Sequence, residues 1–235
     1  MRRLPVSLLF LAILVTTQSA APSRSATLGD GTIRTFVTLD SAGRLSAVGA
    51  ALTGGILRNL PGENAPLILG FGPEQSKTPF THLYFDWVPT GHAPGGVYDR
   101  PHFDFHFYFS SLEDRLAVAG GVDSMPPPAA TLPRGYAKVT ESVAFMGTHF
   151  GDTSGAEFHG HPFDKVLLYG SHEGKITFYD FMMTTAWLAT RPNTVITIKQ
   201  PGTYPARGYY PTRARVSYDS TTDTYRVALE RFVSR

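Results

Sequence analysis

From His102 to Phe109 the chain reads HFDFHFYF, with phenylalanine at 103, 105, 107 and 109 and with His102, Asp104, His106 and Tyr108 between them. Period-two alternation over eight residues puts alternate side chains on opposite sides of an extended strand. On a helix the same spacing would scatter both sets around the axis. The segment therefore predicts a strand with one apolar face and one chemically dense face. The dense face needs solvent, a cavity or a metal opposite it, because buried imidazole and carboxylate groups without partners are expensive.

The rest of the chain reads the same way. Thr32 to Asp40 alternates, Ser41-Ala42-Gly43 turns, and Arg44 to Leu52 alternates back, which is a hairpin signal. Ala65 to Phe71 and His82 to Val88 are runs of strand length, and the Pro/Gly-rich stretch from Pro89 to Pro101 is the loop into the histidine strand. Val139 to Phe150 predicts a further strand. Lys165 to Tyr169 with Lys175 to Asp180 predicts a second hairpin, and Thr194 to Lys199, Ala214 to Tyr218 and Thr224 to Leu229 complete the set. Ser110 or Ser111 with an acidic residue three positions on predicts a short helix to about Ala119, and Met183 to Thr190 one or two helical turns. Four prolines between Met125 and Gly135 make an extended connector. The expected fold is mainly β, an antiparallel sandwich or barrel with one or two short helices, as a single domain over residues 27–235.

The first twenty residues read differently. A basic start (Met1-Arg2-Arg3), an apolar run from Leu8 to Val15 and a small, polar end (Thr16 to Ala20) are the three regions of a secretory signal peptide, residues 1–20. Cleavage after Ala20 is expected, with Ala21 and Ala26 as further positions. The apolar run is too short to span a bilayer, which takes about 20 residues, so an exported chain, periplasmic or extracellular, without a transmembrane segment is expected. Arg2 and Arg3 are two of the 21 basic residues; without them 19 basic side chains face 19 acidic ones. A neutral mature chain gives no electrostatic reason for a nucleic-acid partner. With no cysteine there is neither a disulfide framework nor a thiolate nucleophile.

All eight histidines fall between His82 and His172. Imidazole is the usual neutral metal ligand and the usual acid or base near neutral pH. At roughly 3.3 Å per residue, His102 and His106 stand about 13 Å apart along a strand and can hardly share one ion, whereas Asp104 can pair with either. Asp104 is thus a ligand or an orienting partner. His92 follows Gly91 on the entering loop, and His149 lies between Gly147 and Gly151, where the backbone has freedom to approach a site. His82 shares its strand face with Tyr84 and Asp86, a supporting position or a structural histidine. Asp180 follows Ile176 and Phe178 on one strand face, either at a strand end in water or as a buried ligand. His159 and His161 read as a surface pair. His172-Glu173 lacks a histidine at 176, so the zinc-protease pattern fails, and neither a nucleophile elbow nor a phosphate loop is present. Nothing in these motifs names a reaction.

The blocks DWVPTGH, GGVYDRPHFDFHFYF, FMGTHF, HPFDKVLLYGSHEGKITFYDFMMT and KQPGTYPARGYYPTRARVSYD together resemble a bacterial family of exported proteins of unknown function, one that includes a Thermus hypothetical protein under extracytoplasmic sigma-factor (sigma-E) control. The resemblance spans about residues 30 to 230, and PHFDFHFY and MGxH are its most specific parts. It implies a mainly β fold and homo-oligomerisation, and brings no reaction. The family's recurrent polar positions fall on His82, Asp86, His92, His102, Asp104, His106 and His149. The chain departs from the pattern at Phe163-Asp164-Lys165, where relatives carry a histidine, and at Asp180, where they carry glutamate.

These readings converge on an exported β protein that holds a divalent metal, zinc or iron class, through His92, His102, Asp104, His106 and His149, with His82, Asp86 and Asp180 in support. The alternative is a non-catalytic envelope protein whose polar face binds a small molecule or supports a homo-oligomer.

Overall fold

The computed structural model describes residues 22–204 and 206–235, so the segment 1–20, expected to be a signal peptide, lies outside the described residues. Two antiparallel sheets make the fold. The first consists of β1 (Ser25–Leu28), β2 (Gly31–Leu39), β3 (Leu45–Thr53), β11 (Thr194–Thr197), β12 (Tyr209–Asp219) and β13 (Thr224–Ser234), in the order β1-β2-β3-β13-β12-β11. The second consists of β4 (Leu67–Leu69), β5 (His82–Val88), β6 (His102–Tyr108), β7 (Tyr136–Lys138), β8 (Thr148–Asp152), β9 (Lys165–His172) and β10 (Lys175–Thr184), in the order β4-β5-β6-β10-β9-β8-β7. Each sheet keeps two free edges, so the arrangement is a sandwich and not a closed barrel. Two five-residue α-helices, α1 (Leu112–Leu116) and α2 (Thr185–Ala189), join the strands. No helix among the described residues is long and apolar enough to cross a membrane.

The inter-sheet core shows why the phenylalanines alternate. Phe103, Phe105 and Phe107 of β6, with Leu83, Phe85 and Trp87 of β5, pack against Ile33, Val48, Val227 and Leu229 of the facing sheet. Burying side chains of this size contributes about 1.5–3 kcal/mol each, ample reason for the register of β5 and β6 to be unique, since a one-residue slip would turn every ring outward. The opposite face of β5 and β6 is buried as well: all fourteen residues of the two strands are buried. It is roofed by the loops around Tyr98, Val143 and Phe163, so the polar face looks into protein and a cavity and not into bulk water.

Local chemistry explains several boundaries, including those that differ from expectation. Ser111 and Asp114 form a reciprocal capping box that starts α1, but the helix ends at Leu116, short of Ala119. Of the strand expected from Val139 to Phe150 only the last three residues form one: β7 ends at Lys138, before it, residues 139–147 loop, and β8 begins at Thr148. Gly147 has φ +119°, and a Cβ there would lie 2.3 Å from the Ser171 carbonyl oxygen, so a turn only glycine tolerates leads from that loop into β8. The second hairpin runs further than its sequence suggests, to Thr184, and carries a bulge between Ile176 and Phe178. That bulge switches faces: Ile176 points into the inter-sheet core, whereas Phe178, Asp180 and Met182 point to the roofed side.

Candidate metal centre

Three central strands bring carboxylates and imidazoles to the roofed face. In register, Asp86 of β5 stands opposite Asp104 of β6, Tyr84 opposite His106, and Asp180 of β10 opposite His106 from the other side. Two further histidines come from loops and a neighbouring strand. Gly91, at φ +76° and pressed against the Tyr98 carbonyl, delivers His92, and the Gly147 turn delivers His149 at the start of β8.

These residues form two groups, His92 with His102 and Asp104, and His106 with His149 and Asp180. Within each group one donor atom per residue lies within 4.8 Å of the others. His92 Nε2 is 3.3 Å from Asp104 Oδ2, His102 Nε2 is 3.0 Å from Asp104 Oδ1, and His106 Nε2 is 3.6 Å from Asp180 Oδ2. Ligand atoms bound to one ion at about 2.0–2.2 Å stand about 3 to 3.5 Å apart; the two Asp104 contacts fall in that range and the Asp180 contact just beyond it. The His102–Asp104 approach lacks hydrogen-bond geometry, and both atoms are buried without a hydrogen-bond partner; Asp180 Oδ1 is likewise unpartnered.

Each ring is held by its other nitrogen. His102 Nδ1 is 2.5 Å from the Arg100 carbonyl, His92 Nδ1 is 2.8 Å from that of Ala93, and His106 Nδ1 is 3.3 Å from that of Tyr84. His149 Nδ1 meets the Thr140 hydroxyl at 3.2 Å. A carbonyl only accepts, so in three of the rings Nδ1 carries a proton and Nε2 is left to face the carboxylate, the usual outer support of a metal-binding imidazole.

Little positive charge faces these carboxylates. Asp86, Asp104 and Asp180 are all buried, and the only buried Lys or Arg among the described residues is Arg115 of α1, whose guanidinium sits 3.9 Å above the Tyr84 ring. Burial, and then the negative charges of Asp104 and Asp86, push Asp180 well above the usual carboxylate range. Burial, then Asp104, lifts Asp86 to about 6. Burial opposes ionisation of Asp104, but His102 and His92 beside it outweigh that and hold it below the ordinary value. Burial holds His106 at about 3 and His149 at about 4, so both rings are neutral at pH 7. For His92 burial is outweighed by Asp104, which raises it.

The two groups share a cavity of about 690 Å³. His92, Asp104, His106, His149 and Asp86 reach it, and Val88, Tyr98, Val139, Val143, Met146 and Leu168 supply apolar wall. A larger cleft of about 1120 Å³ lies elsewhere, among Arg44, Arg207, Arg213 and Arg231, and contains none of these groups.

The single centre expected from the sequence divides into two, and Asp180 moves from supporting position to direct member of a group. It is not at a strand end in water; the bulge carries it inside. His82 joins neither group: its Nδ1 meets the Thr81 hydroxyl at 2.8 Å and its ring stacks on Tyr108. Burial lowers it to about 4. Asp86 lines the cavity beside Asp104 without entering a group. His159 and His161 are exposed. Sequence reasoning passed over Arg115, which looks like a surface residue of an amphipathic turn; its one signal is that Val118, three positions on, is also buried.

The chain matches no protein-family model, no curated protein and no solved structure. The buried His/Asp groups could each hold a metal ion.

Proposed function

We propose that this is an exported metalloprotein that binds divalent ions of the zinc or iron class at His92/His102/Asp104 and His106/His149/Asp180. The observation that carries the reading is the pairing of imidazole Nε2 with carboxylate oxygen at ligand-to-ligand spacing, in a buried site with three carboxylates and one arginine. Two histidines and one carboxylate suit both zinc and non-haem iron, and three protein ligands leave positions for water or a bound molecule. Export is supported by the leader-like residues 1–20 and by the resemblance to exported bacterial proteins.

The test is thermal melting of chelator-treated mature protein, with and without zinc or, anaerobically, ferrous iron. An ion that binds only the folded chain stabilises it by about 2.7 kcal/mol at a hundred times its Kd. A rise in Tm with zinc or iron and none with calcium supports the reading; no rise with either overturns it.

A second reading, a non-catalytic envelope protein that assembles with itself, is favoured by one observation. Leu116, Val122, Val143 and Phe145 are exposed, and backbone contacts of Phe145 with Val118 and of Gly121 with Ser142 bring them into one neighbourhood. Sedimentation of the native protein and of Phe145→Ser tests it: a dimer or larger species lost in the variant supports assembly, and a monomer in both rejects it.

A further inference from the structure

The cavity over the two groups has the size of a small-molecule site, about 690 Å³ against the usual 300–1,000 Å³. Its charge is unusual for such a site. Lys138 is the only Lys or Arg among the lining residues, and its Nζ is already 2.6 Å from Glu141 Oε1. Phosphoryl groups are held by arginine forks, lysines or backbone amides at a helix start, and this wall offers no free basic side chain. Apart from His92, which would be a neutral ligand once an ion is bound, the one source of positive charge facing the cavity would be a bound ion with a vacant position. Beyond it lie Val88, Val139, Val143, Met146 and Leu168, which present carbon.

We infer that the cavity takes a small organic carboxylate, a monoanion with an apolar body, whose carboxylate completes the coordination of an ion held by the His/Asp groups while its body lies against the Val139–Met146 loop and Leu168. The inference rests on the metal reading above. A monoanion replaces bound water or hydroxide with no other basic side chain required, whereas a phosphate ester would bring a second charge toward Asp86 and Glu141.

Cobalt(II) titrated into the chelator-treated mature protein gives the readout, because its visible bands respond to a change of ligand in the inner sphere. Acetate, octanoate and inorganic phosphate are then titrated into the cobalt form. Each methylene removed from water is worth about fourfold in affinity, so octanoate is expected to perturb the bands at a concentration at least ~30-fold below acetate, with phosphate no better than acetate. In Val143→Ser, which shortens an apolar side chain of the wall without adding charge, the octanoate advantage over acetate shrinks severalfold. Equal affinity for acetate and octanoate, or tighter binding of phosphate, overturns the inference. Cobalt bands that no carboxylate moves overturn it and leave the metal reading standing. Absence of cobalt bands overturns both.

Discussion

Asp86 and Asp104 face each other across β5 and β6, both buried and with like charge, at directly paired positions of the sheet. Such a pair is destabilising by itself, and the two respond differently to their surroundings. Asp104 has His92 and His102 against its two oxygens and stays ionised; Asp86 has only the Tyr84 hydroxyl, at 3.4 Å, and is driven to about 6. A cation bound by the His/Asp groups, as proposed, would relieve the conflict, and its removal would expose it.

In the metal-free protein Asp86→Asn is expected to be stabilising at pH 8. The folded value of about 6 lies above the ordinary 3.8, so the group's contribution is fully present below pH 4 and is lost as pH rises through 6. Two units correspond to about 3 kcal/mol at most. Urea unfolding of the chelated variant and wild type at pH 4 and pH 8 measures it: the difference should appear at pH 8 and vanish at pH 4.

The histidines act in the opposite sense. His82, His106 and His149 are held at about 4, 3 and 4, below the ordinary 6.5, so the neutral rings stabilise the fold above pH 6.5 and this is lost as pH falls toward 4. The chelated protein should lose stability steeply between pH 6.5 and 4, and His82→Phe should make that loss shallower without changing metal binding. An unchanged slope would show that His82 is not buried in its neutral form.

Gly147→Ala should cost more than about 1 kcal/mol, because an L side chain at φ +119° also meets the Ser171 carbonyl. It should also remove the His149 group's share of bound metal and spare the His92 group. Metal content and unfolding free energy of one preparation check both.

Replacing the buried guanidinium, Arg115→Met, keeps apolar volume but removes the cation over Tyr84. A loss of about 2 kcal/mol is expected in the metal-free form, and a smaller one with zinc present, since bound ions then offset the carboxylates. Thermal melts with and without zinc would show equal losses if Arg115 serves packing alone.

Much of this was legible from residue order. The alternation of HFDFHFYF marks β6 and its two faces, and the 13 Å argument that His102 and His106 cannot share an ion agrees with their placement in different groups. What could not be read is sheet order. His149 reaches His106 only because β8, β9 and β10 follow β6 in the sheet, a long-range pairing with no local signature. The bulge after Ile176 was equally silent: strict alternation puts Asp180 with Ile176, and one extra residue turns it to the opposite face. Gly147 looked like freedom for His149 within a strand, and proved to be the turn from which the strand starts.

The central claim is two separate His/His/Asp ion sites. The most direct measurement is metal content per chain by mass spectrometry after zinc loading and desalting, for the wild type, His92→Ala/His102→Ala and His106→Ala/His149→Ala, each checked for folding by circular dichroism. The account predicts about two ions in the wild type and about one in each double variant; equal and negligible content in all three folded proteins would contradict it.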